Sequence, residues 1–233
     1  MADEKYFNFP IQLLSGFLKN SRNTLTDMCN YAVYAHSLNL DFGENEEDNF
    51  KDSASYLGIE FTNVKAALSN GKKLYRQHTD CPMVGISVKM YWDYQSNEKD
   101  EFQKLCLLGF IALKSILGKK AYCKTTNKLL FARMAGLAKQ CEFEELPEEF
   151  YKYIQTKHKV HYWAVKIKDE VFDWGLKSYS NKTNGFYITI KLTYKDLVFE
   201  AEKKREEYKK LLKKDEKLAA IQEAKNRLKR IPP

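Results

Sequence analysis

Within ten residues the chain places Lys157, Lys159, His161, Tyr162 and Lys166. Ammonium, imidazole and phenol groups in such a cluster reach phosphate oxygens and base edges, which is recognition chemistry rather than bond-breaking chemistry. Lys124 and Lys128 precede this group, and Lys177 and Lys182 follow it. These nine residues are the candidate DNA contacts. Catalysis has less to work with. The sequence contains no Gly-x-x-x-x-Gly-Lys-Ser/Thr phosphate loop, no Gly-x-Ser-x-Gly elbow and no His-Glu-x-x-His zinc motif. His158 and His161, with Cys141 upstream, lack the second close pair that a zinc site needs. The expectation is therefore no catalytic residue, no metal and no cofactor. Glu144-Glu145 and Glu148-Glu149 flank Pro147, where carboxylates favour a helix start through its dipole and need no catalytic role.

The elements that must position these residues follow from spacing. Residues 101–117 carry too many apolar side chains for a narrow stripe, predicting a helix buried on most sides that stops at Gly118. Residues 119–124 extend as a short strand, and Thr125 or Thr126 caps a second helix running to Gly136. A third helical pattern starts near Pro147. Its apolar register, Tyr153, Val160, Ala164, Ile167, Val171 and Trp174, steps by seven, four, three, four and three, and Gly175 ends it. Lys159, Tyr162 and Lys166 fall on the opposite face, with Lys157, His158, His161 and Lys168 at its margins, while Asp169, Glu170 and Asp173 oppose an anion at the far end. Two β-prone runs, 176–180 and 186–192, then surround a turn ending in Asn184-Gly185, a hairpin signal. Trp163 and Trp174 fit core or helix-to-hairpin packing, and Tyr179 and Phe186 fit pinning of the hairpin.

The order helix, short strand, helix, helix, hairpin over residues 101–192 resembles the winged-helix class of helix-turn-helix DNA-binding proteins, an order also found in plasmid and phage replication initiators. The resemblance implies that the helix before the hairpin enters the major groove and that the hairpin touches backbone or minor groove. A lysine on an outer helix face is otherwise ordinary solvated surface, so the clustering carries the argument.

The remaining chain divides by composition. Residues 1–100 read as a helical N-terminal module. It opens with an extended arm over 6–14, followed by helices over 24–40 and 62–78, the latter open to a break at Asn70-Gly71, and an acidic loop at 41–48. Residues 82–95 are ambiguous between strand alternation and helix, with helix preferred, and 97–100 form a polar hinge. Residues 193–233 predict one long charged helix that packs partly on the domain, pairs with another chain, or follows a nucleic-acid backbone. Apolar residues are 44% of the 233, which supports a packed core, and Gly plus Pro number 15, which disfavours loop-rich β folds. The fold class expected is mainly α with a small β-hairpin.

The net charge of +8 is unevenly placed: −4 over residues 1–100, +7 over 101–199 and +5 over 200–233. The positive regions favour nucleic acid, anionic lipid or acidic protein as partners. Five widely spaced cysteines without a Cys-x-x-Cys pair, no apolar leader in the first residues and no run of 18 apolar residues predict a cytoplasmic chain with no membrane partner. The expected function is noncatalytic binding of duplex DNA in replication or regulation. The alternative is a protein-interaction adaptor that uses the same fold, with self-association through the N-terminal module or the C-terminal helix; an unrecognised enzyme comes third.

Overall fold

Nine α-helices and five short strands in two antiparallel sheets build the described residues of the computed structural model, which are 4–39, 45–78, 81–181 and 184–228. The chain is mainly helical, as its low glycine and proline content implies. Its β structure exceeds a single hairpin.

The first sheet pairs β1 (Tyr6–Pro10) with β2 (Met83–Ser87), and Phe7 faces Ile86 while Phe9 faces Val84. All four are buried. Here the expected helix over 82–95 is corrected: residues 83–87 form a strand, and α4 (Val88–Ser96) begins only after Ser87 caps it by accepting from the Met90 amide. The alternation of Val84 and Ile86 prevails because β1, distant in sequence, supplies both backbone hydrogen bonds and an apolar face.

Helix α1 (Ser21–Ser37) buries Leu25, Met28, Tyr31 and Ala32, and it starts after the Asn20 cap, earlier than the expected start at residue 24. Helix α2 (Glu46–Leu57) takes Glu46, Glu47 and Asp48 into its first turn, so the expected acidic loop over 41–48 ends in a helix whose dipole its last acids favour; residues 40–44 lie outside the described residues. Helix α3 (Val64–Gln77) runs through Asn70-Gly71 without a break. Gly71 is there for close approach: a Cβ at this position would lie 2.4 Å from the Asn30 carbonyl oxygen of α1.

The second half is organised around α5 (Glu101–Leu117), closed at its start by a capping box between Asp100 and Gln103. Strand β3 (Cys123–Thr125) leads into α6 (Asn127–Met134), capped by Thr126. The continuous helix expected from Pro147 is corrected to two. A short α7 (Tyr151–Ile154) ends before Thr156, which adopts extended backbone and caps α8 (Lys157–Asp173) by accepting from the Lys159 amide. Strands β4 (Lys177–Tyr179) and β5 (Phe186–Thr189) join β3 in a sheet ordered β3-β5-β4. Helix α9 (Tyr194–Leu228) buries Leu197 and Ala201 and then exposes every residue from 206 to 222.

One cluster of buried apolar side chains runs from Phe7 to Ile188 and crosses the polar hinge at 97–100 without interruption. Gly109 on α5 receives Ile167 of α8, whose Cγ2 would lie 2.2 Å from an added Cβ. This contact fixes how deeply α8 sits, and hence which of its faces remains outside.

Candidate nucleic-acid interface

Helix α8 buries Val160, Ala164, Ile167 and Val171, the four positions that set its register in the sequence. The opposite face follows from this. Lys157, His158, Lys159, His161, Tyr162 and Lys166 are all exposed, as are Asp169, Glu170 and Asp173 further along. Lys159 Nζ donates to Gln155 Oε1 at 2.6 Å, and Lys166 Nζ lies 4.8 Å from the centre of the Tyr162 ring. Trp163 is half-buried beneath this group, edge-on to Tyr153 and Tyr162 with centroids at 5.2 and 5.3 Å. It therefore packs beneath Tyr162 and is not itself part of the exposed face.

The charge order of α8 runs against its own dipole. Lys157, His158 and Lys159 occupy the first turn, where the helix end is positive and no carboxylate is present. Asp169, Glu170 and Asp173 occupy the negative end without a basic residue in the last turn. Each misplaced charge near a helix end costs about 0.3–1 kcal/mol. Such an arrangement concentrates positive potential at one end, where first-turn amides also point outward.

The other candidates are placed differently. Lys128 forms an ion pair with Glu142, so its charge is already answered. Lys124 lies opposite Tyr187, with its Nζ 6.0 Å from that ring, and Tyr179 lies opposite Tyr187 from the other side. Residues directly opposite across an antiparallel pair share a face, and Lys177, two residues from Tyr179, shares it too. Tyr187 packs with Leu197 and Ala201 of α9, and Tyr179 donates to Glu202. Lys124 and Lys177 therefore belong to the sheet face covered by α9. Phe186 and Ile188 turn the other face toward the core that α8 joins. The structure exposes Lys157, Lys159, His161, Tyr162 and Lys166 on α8, with Lys159, Tyr162 and Lys166 opposite its buried register and Lys157 and His161 at the margin of that face, and sets Lys124, Lys128 and Lys177 apart from them. Lys182 lies outside the described residues.

Lys168, expected at the margin of the cationic face, instead places its Nζ 4.5 Å from the centre of the Phe186 ring. Burial pushes its ammonium below the usual lysine range, partly countered by Asp169. It works as packing between α8 and the sheet. Arg133 is likewise half-buried, and burial lowers its guanidinium as well. Gln155 was not among the candidate residues, although its place four residues before Lys159 on a helical spacing was a readable signal.

None of Lys124, Lys157, Lys159, Lys166 and Lys177 is paired with a carboxylate among the described residues, whereas ten ion pairs form elsewhere. Among the described residues no three His, Cys, Asp or Glu side chains converge as metal ligands, and no helix is long and apolar enough to cross a membrane. No protein-family model, curated protein or solved structure matches the chain, so its reading rests on its own residues.

Proposed function

We propose that the chain is a noncatalytic DNA-binding protein of winged-helix type, in which the first half of α8 enters the major groove of a duplex. The order α5, β3, α6, α8, β4, β5 and the sheet order β3-β5-β4 support the winged-helix reading. Residues 135–156, which hold α7 and two short 3-10 turns, make the link between the second and third helices longer than a tight helix-turn-helix.

The observation that carries the DNA reading is the unpaired cationic face of α8, kept against the helix dipole. Lys157, Lys159 and Lys166 supply phosphate contacts, and His161 and Tyr162 supply hydrogen-bonding groups for base edges or backbone. A role in replication or regulation is the biological setting this reading suggests. The test is anisotropy of a labelled duplex with the full chain across a salt series. Binding should weaken linearly in log-log form, at about 0.9 per phosphate neutralised. Absence of affinity at low salt overturns the reading.

A specific observation favours the adaptor as second reading. Beyond Ala201, α9 exposes Tyr208, Leu211, Leu212, Leu218 and Ile221, apolar groups that another helix could cover. Sedimentation separates the two readings: a concentration-dependent assembly lost on deleting residues 206–233, with no DNA affinity, favours the adaptor.

A further inference from the structure

We propose that the cleft between the start of α1 and the loop leading into α5 is a phosphate-binding site. The cavity, of about 480 Å³, is walled by Lys19, Arg22, Lys99 and Lys104, with Glu98 also in its lining. Four cations around one cleft repel one another unless anions answer them. Two are answered from outside the cleft: Lys99 Nζ lies 2.8 Å from Asp93 Oδ2, and Lys19 Nζ lies 3.3 Å from Glu149 Oε2. Arg22 and Lys104 have no carboxylate partner among the described residues. Both line the cleft, and Glu98 is the only acid in its lining to oppose them.

The scaffold around these charges is firm. Tyr94, buried in the floor, donates its hydroxyl to the Gln103 carbonyl at 3.1 Å and ties α4 to α5. A turn at Gly16, whose φ of +78° suits glycine, brings Lys19 and the capping Asn20 to the rim. The amides of Ser21 and Arg22 have no acceptor within α1, and the first turn of α1 holds no acid. Arg22 supplies a planar fork matched to two phosphate oxygens, and Lys104 supplies a point charge in the lining of the same cleft. The amides are an addition to this pair, which is the basis of the site.

The cleft adjoins α8. Leu18 and Lys19 also wall a neighbouring cavity of about 470 Å³, whose lining includes Gln155, the acceptor of Lys159. Between the two regions Glu101 is paired with Lys152 and Glu149 with Lys19, while Glu148 lines the same cavity exposed. A phosphate in the cleft therefore has two possible sources of the same chemistry: the backbone of a nucleic acid seated on α8, or a free phosphate or nucleotide. The first source rests on the function proposed above and the second does not.

The experiment compares the full-length chain with Arg22→Gln/Lys104→Gln, with Glu98→Gln, and with Lys159→Gln/Lys166→Gln. Each is titrated calorimetrically with inorganic phosphate, and the salt dependence of duplex binding is measured in parallel. A free-phosphate site predicts calorimetric binding that Arg22→Gln/Lys104→Gln abolishes, Glu98→Gln strengthens several-fold and Lys159→Gln/Lys166→Gln leaves intact. A backbone site predicts that Arg22→Gln/Lys104→Gln lowers the log-log salt slope by about 1–2. The Glu98→Gln variant, a neutralisation at an exposed position, keeps the test decisive should the double variant misfold. Absence of phosphate binding together with an unchanged slope and no effect of Glu98→Gln overturns the site. A slope unaffected by Lys159→Gln/Lys166→Gln overturns the α8 reading instead.

Discussion

Reversing the two lysines at the start of α8, Lys157→Glu with Lys159→Glu, should stabilise the protein while weakening its binding to DNA. Both side chains are exposed, so the substitutions leave the buried set Val160, Ala164, Ile167 and Val171 untouched. Thr156 keeps its cap on the Lys159 backbone amide, since that bond does not involve the side chain of residue 159. Each reversal removes one unfavourable charge from the positive helix end and installs a favourable one, which amounts to about 0.6–2 kcal/mol. The hydrogen bond from Lys159 to Gln155 is lost, but at an exposed site that costs only a few tenths of a kcal/mol or about 0.5. The pair should thus gain about 1–3 kcal/mol, read as a higher urea midpoint with unchanged slope. Binding moves the opposite way. Two lost phosphate contacts lower the salt slope by about 1.8 and reduce affinity about 30-fold near 0.15 M salt, before any added repulsion. Unchanged stability would refute the dipole argument, and a stabilised protein with full DNA affinity would refute the assignment of this helix end to phosphate.

Other outcomes follow from the same structure. Deleting residues 206–233 should move the melting temperature by less than about 2 °C, because 206–222 are exposed, whereas Leu197→Ala should cost about 2–4 kcal/mol by opening the fully buried contact of α9 with Tyr187. Alkaline pH should destabilise the fold: burial pushes the Cys29 thiol up to about 12, against an ordinary value near 9. A folded-state value above the unfolded one leaves its stabilisation intact below about pH 9 and removes it as pH rises toward 12. Urea midpoints should fall over that window, less so in Cys29→Ala compared with its own value at pH 8. Gly109→Ala should destabilise by about 1–3 kcal/mol despite the better helix propensity of alanine, because Ile167 must retreat from a 2.2 Å overlap. Its combination with Ile167→Ala should cost less than the two single losses added together, as double-mutant denaturation would measure.

The register of α8 was legible because four apolar residues at helical spacing left one solution, and the face opposite them then carried the cations. The break at Gln155-Thr156 was harder to see, since Tyr153 continues the apolar spacing across it. Its signal is Thr156, directly before the cationic run that starts at Lys157 and placed to cap the Lys159 amide three residues on. Strand β2 was not legible locally: Val84 and Ile86 alternate, but the partner that makes them a strand is β1, and pairing over such a separation leaves no trace at short range. The same holds for Gly71 and Gly109, whose roles exist only once α1 and α8 lie against them. The covering of the β3-β5-β4 sheet by α9 took Lys124 and Lys177 away from the α8 face, an outcome that depends on Leu197 and Ala201 meeting Tyr187. Arg22 and Lys104 come to line one cleft only in the folded chain, so no motif could have announced it.

The most direct measurement is lysine acetylation of the full chain with and without duplex DNA, read residue by residue by mass spectrometry. The account predicts protection of Lys157, Lys159 and Lys166 on DNA binding, with Lys124 and Lys177 labelled equally in both states. DNA that shields Lys124 and Lys177 while leaving the α8 lysines open to reagent would contradict it.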